Sequence, residues 1–141
     1  VAAITVMIAL VGLAGCGHSA KDGVSLRDLA PGDCLTTASA RLGTVIKHRV
    51  PCAERHDAEV AATFVAGSAS DPYPGTTALR SLGDAKCSPE VVAYVGATRT
   101  DSVAAMMFFP TEAMWRRHIN QLACVVRPAK IKTTTVSLRH P

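Results

Sequence analysis

Five cysteines and a His56-Asp57-Ala58-Glu59 run are the residues whose types and spacing could do chemistry in this chain. Cys16 stands apart from the other four. It closes Leu13-Ala14-Gly15-Cys16, a hydrophobic residue, two small residues and a cysteine. That is a lipobox: the small pair lets the backbone lie extended in a processing peptidase, and the thiol is the nucleophile for diacylglyceryl transfer. The other four, Cys34, Cys52, Cys87 and Cys124, are even in number, widely spaced and free of any Cys-x-x-Cys pair. This argues for two disulfides in an exported domain and against zinc or thioredoxin-like chemistry. Three pairings are open. Cys34–Cys52 with Cys87–Cys124 is favoured, because each bridge then joins neighbours in chain order across segments that read as structured. Such bridges contribute roughly 3–4 kcal/mol each on the loop-entropy model.

His56, Asp57 and Glu59 are the residue types of a metal site or an acid–base pair. On a strand, however, successive side chains point to opposite faces, so His56 and Asp57 diverge unless the segment turns. Asp57 and Glu59 would share a face about 7 Å apart, wide for one site. The expectation is that His56 and Asp57 hydrogen-bond backbone in the turn after Cys52, that Glu59 is solvated or paired, and that no metal binds. No Gly-x-Ser-x-Gly, His-Glu-x-x-His or phosphate-binding glycine loop is present. The histidines, at 18, 48, 56, 118 and 140, are scattered. The sequence therefore predicts no catalytic residue, no cofactor and no enzyme activity.

Residues 1–15 carry no charge and are almost wholly apolar or small. The run is shorter than the ~20 residues a membrane-spanning helix needs and reads as the h-region of an export signal. The expected organisation is a lipoprotein signal peptide at 1–15, a lipidated Cys16 with a small, polar tether to residue 25, and one extracytoplasmic domain at 26–141. One acyl chain binds a bilayer marginally, whereas two or more anchor stably. Palmitate-type acylation of Cys16 would hold the domain on the outer face of the cell membrane.

Charge is unevenly placed. The formal balance is +4, yet Ala113 to Pro141 holds Arg116, Arg117, Arg127, Lys130, Lys132 and Arg139 and no acidic residue. A basic end could face anionic headgroups or acidic wall polymer. Nucleic acid is excluded by compartment and by the scarcity of stacking aromatics. The one tryptophan, Trp115, adjoins Arg116 and Arg117, the residue types of a partner contact, although a lone tryptophan in a small domain is more often core.

The elements that must position these residues follow from periodicity. Thr44–Val50 and Val60–Phe64 alternate about a turn-rich link and predict a β-hairpin. Leu79, Leu82 and Ala85 recur at helical spacing. Ser88 and Pro89 read as a new N-cap and first position, predicting two helices, about Thr76–Cys87 and Pro89–Val95. Val103–Phe109 reads as a strand, Thr111 as the cap of a short helix to Arg117, Leu122–Val126 as a strand, and Thr133–Leu138 as a last strand. The fold class is α+β: a small mixed or antiparallel sheet with a helical insertion, stapled by two disulfides.

Pro31-Gly32-Asp33-Cys34, Val50-Pro51-Cys52 with His56-Asp57-Ala58-Glu59-Val60, Tyr73-Pro74-Gly75, Cys87, Pro110-Thr111-Glu112 with Trp115, Cys124 and Ser137-Leu138 occur in an order that resembles the actinobacterial septum-formation family. Arg55 stands where that pattern usually has a proline, and His118-Ile119-Asn120 replaces a usual Gly-Asp-Arg turn. The resemblance implies an extracytoplasmic, disulfide-stapled domain associated with cell division, and it implies no reaction. The functional expectation is a non-enzymatic binding module anchored to the membrane through Cys16, with an envelope protein or wall polymer as partner. The alternative is a small-ligand or lipid carrier lined by Val103–Phe109.

Overall fold

The computed structural model describes residues 23–40 and 43–141. The signal segment, Cys16 and most of the tether lie outside them. Among the described residues no helix is long and apolar enough to cross a membrane.

Five antiparallel strands form one sheet in the order β2-β1-β3-β5-β4, with β1 Cys34–Ala40, β2 Gly43–Val50, β3 Ala58–Val65, β4 Val103–Phe108 and β5 Gln121–Pro128. The hairpin predicted from Thr44–Val50 and Val60–Phe64 is not made. β2 pairs instead with β1, from Cys34↔Val50 to Ala40↔Gly43, while β3 pairs with β5 along most of its length. Strand β1, Cys-Leu-Thr-Thr-Ala-Ser-Ala, escapes a hydrophobic-pattern reading because Leu35 is its one large apolar side chain. Its role is topological. Cys34↔Glu59 and Leu35↔Ala58 join the β1–β2 hairpin to β3, and Cys34 is bridged to Cys52 just beyond β2.

A register shift between Val60 and Ala62 against β5 sorts side chains to the two faces of the sheet. Leu35, Ala58, Val60, Ala123 and Val125 pack on one face against Leu26 and Leu29 of the entry segment. On the other face lies the α1 helix, Thr76–Val95. Ala61 and Val126 meet Val91, Tyr94 and Val95, and Ala62, Leu122 and Cys124 meet Cys87. Cys87–Cys124 therefore ties α1 to the central strand β5.

The helix is continuous, which corrects the expected break at Ser88-Pro89. Pro89 lies inside it and gives no N–H to the carbonyl of Ala85. A buried stripe at four-residue spacing, Leu79, Gly83, Cys87, Val91 and Val95, runs through the proline and anchors both halves to the sheet. Gly83 is the closest approach: a Cβ there would fall 1.7 Å from the Met107 Sδ. The helix ends at Gly96, φ +83°, where a Cβ would meet the His140 ring at 2.5 Å. Because Pro89 is exposed and lacks a helical bond, Pro89→Ala is expected to raise stability by about 1–2 kcal/mol in urea unfolding. A destabilised variant would show that the helix needs the proline.

The short helix α2, Glu112–Trp115, is capped as expected, with the Thr111 hydroxyl accepting from the Met114 amide. The predicted last strand is not formed. Residues 133–138 contribute one isolated bridge, His56↔Thr134, because their next backbone donors go elsewhere. Leu138 N–H is given to the Glu59 carboxylate and His140 N–H to the carbonyl of Tyr94.

Candidate functional site

The His56–Glu59 segment is where the sequence brings chemically capable groups together. His56 precedes β3, held by reciprocal backbone bonds with Thr134 at 2.9 and 2.8 Å. The chain turns there, so His56 and Glu59, which a straight strand would send to opposite faces, meet: Nε2 lies 2.9 Å from Oε1. Both side chains are fully buried. Glu59 also accepts from the Leu138 amide at 2.7 Å on Oε1, and from Tyr94 Oη and Ser137 Oγ, each at 2.9 Å, on Oε2. Four donors from β3's approach, α1 and the C-terminal segment thus converge on one carboxylate.

Hydrogen-bond arithmetic defines the charge state of this cluster. His56 Nδ1 lies 2.8 Å from the Glu54 carbonyl, which only accepts, so Nδ1 carries a proton. One further proton lies between Nε2 and Oε1, making the pair either imidazolium–carboxylate or imidazole–acid, neutral in both cases. Burial is tolerable because the pair is matched and the carboxylate's acceptor positions are filled. Burial first, and then the bond to Glu59 with its charge, holds the Tyr94 phenol well above the usual tyrosine range. Tyr94 therefore stays a donor.

This arrangement is a clasp that joins the start of β3, α1 and the C-terminal segment. Ser137 bonds to Glu59 and not to His56, so the order is serine–carboxylate–histidine, in which no imidazole faces the hydroxyl. Cys34 Sγ lies within 4.8 Å of the His56 and Glu59 ligand atoms, but its sulfur is in the Cys34–Cys52 bridge. A metal would have to displace the bonds of both partners. Asp57 is the second part of the clasp. Its carboxylate accepts from the Thr37 amide at 2.8 Å, the Thr37 hydroxyl at 2.7 Å and Arg127 Nη2 at 3.2 Å. Asp57 and Glu59, expected on one face, take separate partners: Asp57 joins β1 to β5, while Glu59 gathers α1 and the C-terminal segment.

The structure divides the remaining sequence candidates. Cys34, Cys52, Cys87 and Cys124 form the two favoured bridges. Trp115, offered as an exposed partner anchor, is 3% exposed; its indole N–H donates to the Asp71 carbonyl and its ring meets Tyr73 edge-on. It is core because α2 folds back on the 68–71 loop. Arg116 and Arg117 are on the surface, Arg116 paired with Glu112 at 3.2 Å. Strand β4, which the carrier alternative has lining a cavity, is a sheet edge flanked by two open clefts. One, of about 660 Å³, lies against α1; the other, of about 510 Å³, lies against the entry segment. Sequence reasoning missed Tyr94 and Ser137 as partners of Glu59. A tyrosine on a helix gives no local signal of the carboxylate it will meet.

No curated protein and no solved structure matches the chain significantly. The model of the septum-formation family matches residues 31–140, which include both disulfides and every residue of the clasp. The chain belongs to the septum-formation family.

Proposed function

We propose that this protein is a lipoprotein of the cell envelope, anchored through Cys16, whose domain works as a non-catalytic binding module in septum formation. Family membership across residues 31–140 is the observation that carries the reading. The clasp supports its non-catalytic part, because His56 and Glu59 are sealed from solvent and occupied by structural bonds. The lipobox at Leu13–Cys16 supports the anchor.

Fractionation and microscopy of epitope-tagged full-length protein, beside a Cys16→Ala form, test the reading. The expected result is membrane-bound protein enriched at septa, with the Cys16→Ala form released from the membrane by at least tenfold. Even distribution around dividing cells, with normal septa in a deletion strain, would contradict the division role. Unchanged membrane retention of Cys16→Ala would contradict the anchor.

A further inference from the structure

Sheet edges expose backbone donors and acceptors that suit another strand, and this domain guards one edge and leaves the other bare. On the β2 edge stand Lys47 and Arg49, the Gly23 amide covers the Lys47 carbonyl, and a register shift interrupts the pairing of β2 with β1. Strand β4, at the other end of the sheet, is Val-Ala-Ala-Met-Met-Phe. It has no charge, no proline and no register shift against β5.

The ladder with β5 shows which groups of β4 are free. Ala129 N–H donates to the Ser102 carbonyl at 2.9 Å, one step beyond the Val103↔Pro128 pair. Val103 and Pro128 are therefore a non-hydrogen-bonded pair. Antiparallel alternation then turns the N–H and C=O of Ala104, Met106 and Phe108 toward β5. Those of Ala105 and Met107, with the Val103 carbonyl, point outward, where nothing among the described residues bonds them. Ala104 and Ala105, in the middle of the strand, are exposed. Val103 and Met107 lie on the α1 face, beside the open cleft of about 660 Å³.

We infer that β4 pairs antiparallel with β4 of a second copy of this chain, about a two-fold axis at Ala105, and so joins two sheets into one. The outward row of partial charges is complementary to itself. With the axis at Ala105, that residue exchanges N–H and C=O bonds with its counterpart, and Met107 N–H meets the Val103 carbonyl on each side. The side chains are self-compatible too: no charge stands opposite its own kind, the two Ala105 methyls meet at the axis, and Val103 faces Met107 across it. A two-fold interface needs such a self-complementary patch. The chain's own N-terminal segment suits the edge less well. Gly23 is held at the opposite edge by Lys47, and residues 17–22 are mostly small and polar. The pairing is a property of the domain and does not depend on the envelope reading; an anchor only raises the local concentration of copies.

Sedimentation equilibrium of the purified full chain carrying Cys16→Ala, over a range of concentrations, tests the inference. The average mass is expected to rise from that of a monomer toward twice that value. Ala105→Lys and Ala105→Glu each set like charges against each other at the axis and should weaken self-association about fivefold. An equimolar mixture of the two should associate at least as tightly as the unsubstituted chain, a recovery that misfolded variants would not give. Val45→Lys, on the β2 edge, should change nothing. A monomer at every concentration would overturn the inference and leave the edge to a strand of another protein. A monomer whose Ala105 and Met107 amides resist hydrogen exchange would overturn it in favour of the chain's own N-terminal segment. Association that Ala105→Lys leaves intact, or that the mixture fails to recover, would place the interface elsewhere and overturn it as well.

Discussion

Glu59→Gln is expected to destabilise the domain by about 3–5 kcal/mol, the cost of breaking a buried pair by altering one partner. Glu59 is fully buried and accepts from His56, Leu138, Tyr94 and Ser137. A glutamine oxygen can still take the Leu138 amide, and its N–H groups can donate to the Tyr94 and Ser137 hydroxyls, so the loss falls on His56. That ring is left with either a buried charge that nothing neutralises or an unprotonated Nε2 facing the amide oxygen. The effect is a large part of the 5–15 kcal/mol typical of a whole domain. Protection of the last residues against hydrogen exchange should be lost first, since Leu138 is held by the substituted group. His56→Gln should cost a similar amount. The double variant should cost clearly less than the sum, because the two groups neutralise each other. Chemical unfolding of the four proteins measures this directly. Additive losses would mean that His56 and Glu59 are stabilised separately and that the shared proton is not the organising feature.

The second large effect concerns the staples. Cys87–Cys124 closes 37 residues and Cys34–Cys52 closes 18. On the loop-entropy model they contribute about 4 and about 3 kcal/mol. Cys87→Ser with Cys124→Ser is therefore expected to lower the midpoint by roughly 15 °C in a domain of this size. Reduction of both bridges should unfold the domain at ambient temperature. The two sites should also differ in kind. Cys87–Cys124 fastens α1 to β5, so its loss should expose the helix amides to exchange. Cys34–Cys52 fastens the β1–β2 hairpin beside the clasp, so its loss should loosen the Glu59 bonds. Reduced protein that keeps its native circular dichroism on heating would show that the core alone sustains the fold.

The parts of this fold legible in the sequence are those that a single residue or a short period announces. The even, widely spaced cysteines point to the bridges, local alternation marks β2, β3 and β5, and the apolar run Val103–Phe109 marks β4. The Thr111 cap marked α2. Periodicity failed where the packing residues were not hydrophobic by type. Ser88-Pro89 reads as a helix start, and the stripe that carries α1 through it includes Gly83 and Cys87, which a count of large apolar residues skips. Strand β1 gives no hydrophobic signal because threonine, serine and alanine fill it, and without β1 the pattern pairs β2 with β3, which the structure pairs with β1 and β5. The clasp depends on long-range contacts: Glu59 meets Tyr94 and Ser137, 35 and 78 residues away. The His-Asp-Ala-Glu run showed that something gathers there. Only the turn before Ala58 and the folded C-terminal segment show that it is a structural knot.

The central claim is that this septum-family domain serves as an anchored binding module, and crosslinking in dividing cells tests it most directly. Full-length protein and the Cys16→Ala form would be captured after crosslinking, with mass spectrometry of the bound material and of the Cys16 peptide. Expected are a lipid-modified Cys16 and enrichment of division or wall-synthesis proteins that falls away in the Cys16→Ala form. An unmodified Cys16, or a lipidated protein that captures no such partner, would contradict it.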